Sequence, residues 1–178
     1  QSFYNQTYSE LKRRASKQFV QFYRPEEAEN LQIRPHHVVR MEFNDFIVGN
    51  VYEKETERKF SKDSIVVGHQ NNKPVYGTVH ATAYIHDREV VSKGSLNIQI
   101  IDYSNNQMLT SRNFPGEYIW RNSWARFNGD ERALPSNIFS MTKQKQLVPP
   151  PAQDLFLLFC EPIFENSTSF ISNYYRRK

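Results

Sequence analysis

Residues 75–120 read VYGTVHATAYIHDREVVSKGSLNIQIIDYSNNQMLTSRNFPGEYIW. Val75, Gly77, Val79, Ala81, Ala83 and Ile85 fall on one side of a two-residue period, and Tyr76, Thr78, His80, Thr82, Tyr84 and His86 on the other. Leu96, Ile98 and Ile100 repeat the pattern. Alternation at period two is what a strand with one buried and one wet face requires. The polar run DYSNNQ at 102–107 predicts a turn before the strand Met108–Phe114. Asp87-Arg-Glu reads as a hairpin loop, or else the strand runs on through Val90-Val91 to a turn at Lys93-Gly94. Pro115-Gly116 predicts another turn before Glu117–Trp120.

The β signal extends upstream. His37–Val48 is rich in Val, Ile and Phe, Gly49-Asn50 reads as a bend, and Ser64–Gly68 (SIVVG) as a compact strand closed by the polar turn His69–Pro74. Val51–Phe60 is charged and fits either an edge strand or a short exposed helix. Strands at this spacing with turn signals between them predict a mainly β chain folded as an antiparallel β-sandwich, Ig-like or related.

Helices are expected at the ends. Tyr4, Tyr8, Leu11 and Ala15 recur at helical spacing, Lys17–Tyr23 alternates as a strand or continues that helix, and Glu26–Asn30 could make one turn. Pro149-Pro150-Pro151 is a stiff spacer. Beyond it Asp154 can cap an amphipathic helix with Leu155, Leu158, Phe159, Ile163, Phe170, Ile171 and Tyr174 in its stripe, which Pro162 should kink or split. One domain, 1–178, is thereby divided into an N-terminal segment (1–24), a β core (37–120), a Trp/charged loop region (121–148) and the spacer with its helix (149–178).

The chain has 178 residues, with thirteen Phe and ten Tyr against six Gly, which excludes disordered and collagen-like classes. Seven of its 23 Lys and Arg sit near the ends (Lys12, Arg13, Arg14, Lys17, Arg176, Arg177, Lys178), leaving 16 against 19 acids in the body. Basic ends on a slightly acidic body do not make a nucleic-acid footprint. Cys160, the single cysteine, sits in the apolar run LFLLFCEPIF and reads as a small buried hydrophobe; one cysteine permits no intrachain disulfide. No apolar run approaches the ~18–20 residues of a membrane helix. Opening at Gln1 rather than Met suggests a processed chain or a piece of a longer one.

Chemistry is sparse. His80 and His86 share a parity but stand roughly 20 Å apart along a strand, too far to share a zinc ion, and no HExxH, GxSxG or phosphate-loop motif occurs. No metal site and no cofactor are expected. The unusual segment is YIWRNSWARFNGDERALP at 118–135, which gathers Trp120, Trp124, Arg121, Arg126 and the charged loop Asp130, Glu131, Arg132. Aromatics beside arginines and acids can form a ligand platform. Alternatively the tryptophans anchor the core, and Arg132 pairs with Asp130 or Glu131 to staple the loop. Asp130-Glu131, adjacent in one loop, make a poor acid/base pair.

The order of HHVVRMEFNDFIVG (36–49), the β run, WARFNGDERAL (124–134), PPPAQDLFLLFCEPIF (149–164) and NYYRRK (173–178) resembles the C-terminal part of uncharacterised Bacteroidetes-type envelope lipoproteins. The resemblance implies an exported chain, periplasmic or at the cell surface, tethered to the membrane through a missing N-terminal part. It carries over no functional residue. The expected function is a non-catalytic interaction or structural module with a protein or glycan partner of the envelope. A carbohydrate-binding module using Trp120 and Trp124 is the alternative, and a hydrolytic enzyme with an unrecognised site the third.

Overall fold

Alternating and β-branched residues do form strands, but longer ones than the turn signals predict. The computed structural model describes residues 2–16 and 20–176, mainly β, as one open antiparallel sheet in the order β1 (His37–Gln70), β2 (Lys73–Asp102), β3 (Met108–Gly129). Helices α1 (Ser2–Ala15) and α2 (Pro25–Asn30) precede it; a 3-10 turn (Glu131–Ala133), α3 (Ser136–Thr142) and α4 (Ala152–Arg176) follow. Among the described residues there is one sheet, so the second sheet of the expected sandwich is not formed there. The expected loop at 87–89 and the turns at Lys93-Gly94 and Pro115-Gly116 lie inside β2 and β3, and Val51–Phe60 is strand within β1. The Trp/charged region likewise begins as strand, up to Gly129.

Two turns fall where the sequence places them. Asn71 and Asn72 join β1 to β2 with φ of 50° and 59°, the left-handed pair that suits a two-residue hairpin. In the β2–β3 connection the Asp102 carboxylate accepts from the Ser104 backbone N–H at 2.8 Å. β1 carries left-handed residues in mid-strand, Asp45 (47°), Gly49 (75°) and Ser64 (58°), the mark of bulges.

The chain divides into two compact units. The first comprises Gln1–Val48, Ser92–Tyr118 and Pro151–Lys178. Its core joins Leu96 and Ile98 of β2, Phe114 of β3, Leu11 of α1 and Phe159, Cys160, Ile163 and Ile171 of α4, with Val39, Met41 and Phe43 of β1 against it. The helix runs unbroken through Pro162, which costs about 3 kcal/mol in an isolated helix; both halves are held by core residues, Phe159, Ile163 and Ile171 being fully buried. Asp154 lies in the first turn, not at the cap, where its charge still suits the helix dipole. Cys160 is buried, and burial pushes its thiol up to about 11. Buried Ser167 and Thr168, absent from the expected stripe, donate to the Phe164 carbonyl at 3.2 and 2.7 Å. The expected strand at 17–23 lies outside the described residues at 17–19 and is not strand at 20–23.

The second unit comprises Gly49–Val91 and Ile119–Pro150. Val79, Ala81, Ala83 and Ile85 of β2 and Ala125 of β3 pack against Ala133, Leu134 and Ile138. Four alanines in this cluster let the 3-10 turn and α3 come close to the strands. Among the described residues no helix is long and apolar enough to cross a membrane.

Candidate functional site

Period two on β2 puts His86 and Arg88 on the side opposite the buried Ile85, and the β2–β3 register brings them to Trp124. The His86 and Trp124 rings stack at 5.2 Å between centroids and 8° between planes. The Arg88 guanidinium carbon stands 5.3 Å from the Trp124 centroid, and its Nε pairs with Glu53 of β1. Glu55 of β1 places a carboxylate oxygen 3.3 Å from His86 Nδ1 and 3.4 Å from Arg126 Nη2. Arg126 Nε donates to His86 Nε2 at 3.2 Å. That bond makes Nε2 an acceptor and turns Nδ1 toward the Glu55 carboxylate, so the ring lies between a guanidinium and an acid.

A covering segment runs beside this cluster. Asn122, buried, accepts from the Leu147 backbone N–H at 2.9 Å and donates to the Lys145 carbonyl at 3.3 Å. The Gln146 carboxamide stands against the Arg88 guanidinium, and the orientation that satisfies both groups places its oxygen 2.6 and 3.1 Å from the Arg88 nitrogens. Trp124, His86 and Arg88 are half-buried while Glu55 and Arg126 are exposed, so large aromatic and charged groups meet solvent together. Stacked aromatics contribute about 0.5–1.5 kcal/mol beyond their area, and cation–π contacts a comparable amount. Each cation is matched by an acid, which fits a contact surface.

The other expected residues take separate places. Trp120 is half-buried further back on β3. Arg121 pairs with Glu89 at 2.7 Å, and Ser123 donates to Asp87 at 2.6 Å, so residues read as a hairpin loop are cross-strand partners. Asp130 and Arg132 form the staple that the alternative reading anticipates, with Asp130 rather than Glu131 as the partner. Asp130 caps the 3-10 turn by accepting from the Arg132 backbone N–H at 3.0 Å, Arg132 also pairs with it side chain to side chain, and Arg132 Nη1 donates to the Val66 carbonyl at 2.8 Å. Glu131 is exposed.

Hydrogen bonds from Arg132 lower the Asp130 carboxyl from 3.8 to about 2. A carboxyl depressed in the folded state stabilises it above the unfolded pKa and loses that contribution as pH falls through the folded one. The staple should therefore be intact above roughly pH 4 and fade toward pH 2. Carboxyl-carbon NMR should show Asp130 titrating near 2, and Arg132→Gln should return it to the ordinary carboxylate range.

Sequence reasoning weighed His86 as a metal ligand rather than as a partner of Trp124, and it missed Arg88, Glu53, Glu55 and Gln146. Counting back along both strands from the DYSNNQ turn reaches His86 opposite Trp124 within a residue, so that pair was within reach. Among the described residues no three His, Cys, Asp or Glu come together to hold a metal ion. Comparison with known protein families, with curated proteins and with solved structures finds no match for this chain.

Proposed function

We propose that this chain is a non-catalytic interaction module of the bacterial cell envelope that contacts a protein partner through the β2–β3 surface around Trp124. The observation that carries it is the half-exposed His86–Trp124 stack, ringed by Arg88, Arg126, Glu53 and Glu55. Trp and Arg are the residues in which interface energy concentrates. A sugar ring stacks on an open aromatic face, and the His86 imidazole already covers one face of Trp124. The envelope location rests on the resemblance of the segments at 36–49, 124–134 and 149–178.

The test is retention of envelope proteins on the immobilised chain, beside a thermal-shift screen against polysaccharides. Trp124→Ala should weaken a specific retained partner at least tenfold, in line with the ~2 kcal/mol or more of an interface hot spot, while Pro115→Ala leaves it unchanged. Equal retention by Trp124→Ala would refute the proposed surface. A polysaccharide-induced shift lost in Trp124→Ala would favour the carbohydrate module instead.

A further inference from the structure

A cleft of about 430 Å³ opens in the first unit between residues 112–115 of β3 and the second half of α4. That volume suits a small ligand, for which sites run to ~300–1,000 Å³. Phe114 and Phe170, with centroids 5.5 Å apart, supply its apolar wall. The Arg112 guanidinium carbon lies 5.6 Å from the Phe114 centroid and 5.7 Å from that of Phe170, within reach of a cation–π contact with both rings. No carboxylate among the described residues forms an ion pair with it, and the cleft lining contains no acid. From α4 come Asn166, Ser169 and Asn173, spaced by three and four and therefore on one face. Ser169 Oγ accepts from Arg14 Nη1 at 3.2 Å, which leaves its own proton to donate.

We infer that this cleft binds a carboxylated saccharide, its carboxylate on Arg112 and its hydroxyls on Asn166, Ser169 and Asn173. The inference stands apart from the protein-contact proposal. A planar guanidinium in a cleft lining matches a carboxylate in bidentate fashion. Side-chain amides present a donor and an acceptor side by side, as vicinal hydroxyls require. The single cation of the lining suits a singly charged group better than a phosphate dianion. An acidic peptide would dock most readily by adding a strand to the β3 edge, but Pro115 in the lining has no N–H to donate there.

The experiment is isothermal titration calorimetry on the whole chain with digalacturonate, sialyllactose, neutral galactobiose and an acetylated Gly-Asp-Gly amide. At least one acidic sugar should bind, with galactobiose and the peptide at least tenfold weaker. Arg112→Gln should weaken the acidic sugar roughly tenfold to a hundredfold, the worth of a charge-assisted bond. Asn173→Asp, at an exposed helix position, should weaken it by adding a negative charge to the lining that holds an anion, and it decides the matter if Arg112→Gln does not fold. Trp124→Ala should leave this binding unchanged, which separates its failure from that of the protein-contact surface. Four results overturn the inference: no binding of either acidic sugar, equal binding of galactobiose, equal binding of the peptide, or affinity that survives Asn173→Asp.

Discussion

Gly116→Ala should lower the thermal midpoint by roughly 6–12 °C, because it drives a methyl group into the backbone of α4. Gly116 is buried on β3 where α4 crosses it. A Cβ there would overlap the Phe159 carbonyl oxygen and come within 2.7 and 2.9 Å of Ile163 side-chain atoms. A side chain can rotate away from such a clash, but the carbonyl of a helix held by fully buried Phe159 and Ile163 cannot. The cost falls at the top of the overpacking range, about 3 kcal/mol, and each kcal/mol moves a chain of this size by ~2–4 °C. Hydrogen exchange in α4 should accelerate in parallel. Pro115→Ala, one residue away and exposed, should move the midpoint by less than ~2 °C. Similar midpoints for the two variants would mean that α4 does not approach β3 this closely.

Gly116 also shows why the sequence predicts strands better than it predicts where they stop. Gly94 and Pro115-Gly116 look like turns, yet neither glycine has a positive φ. Each is a place where another element comes close: a Cβ on Gly94 would lie 2.6 Å from Phe46 Cβ and 3.2 Å from the Phe159 ring. Pro115 is tolerated because β3 is an edge strand, where a missing N–H can leave the ladder intact. In a lone sequence, freedom to turn and room for a neighbour both appear as glycine. Reading them as turns cuts three long strands into many short ones, and many short strands predict a sandwich. The two-residue period carries a further signal: the buried positions of β2 change from odd (79–85) to even (90–100). Trp124 and Arg126 were legible as candidates because large aromatics and arginines are conspicuous. Glu53 and Glu55 were not, since the left-handed Ser64 lies between them and the hairpin turn and alters the count along β1. The cleft beside Arg112 joins residues more than fifty positions apart and depends on where α4 lies, which no local pattern encodes.

Gly129→Ala should destabilise the second unit by about 3 kcal/mol, for two reasons that act together. Gly129 ends β3 at φ 106°, a backbone conformation costly for any residue with a Cβ. Its Cβ would also overlap the His80 carbonyl oxygen and sit 2.9 Å from Ala81 Cα. That carbonyl is the acceptor for the Asp130 backbone N–H at 2.9 Å, so relieving the clash breaks the bond that sets the following loop. Asp130 would then lose its position relative to Arg132, and its carboxyl, held at about 2 in the native loop, should titrate closer to its ordinary value. Gly68→Ala is the matched control: nothing lies within 4 Å of its added Cβ and its φ is not positive. The same exchange there should be neutral or stabilise by about 0.4–1 kcal/mol, because alanine restricts the unfolded chain. Opposite signs for one chemical change at two glycines isolate the local geometry as the cause. Should both variants melt alike, with the Asp130 titration unmoved, the close approach of β3 to His80 would be wrong, and with it the anchoring of the charged loop.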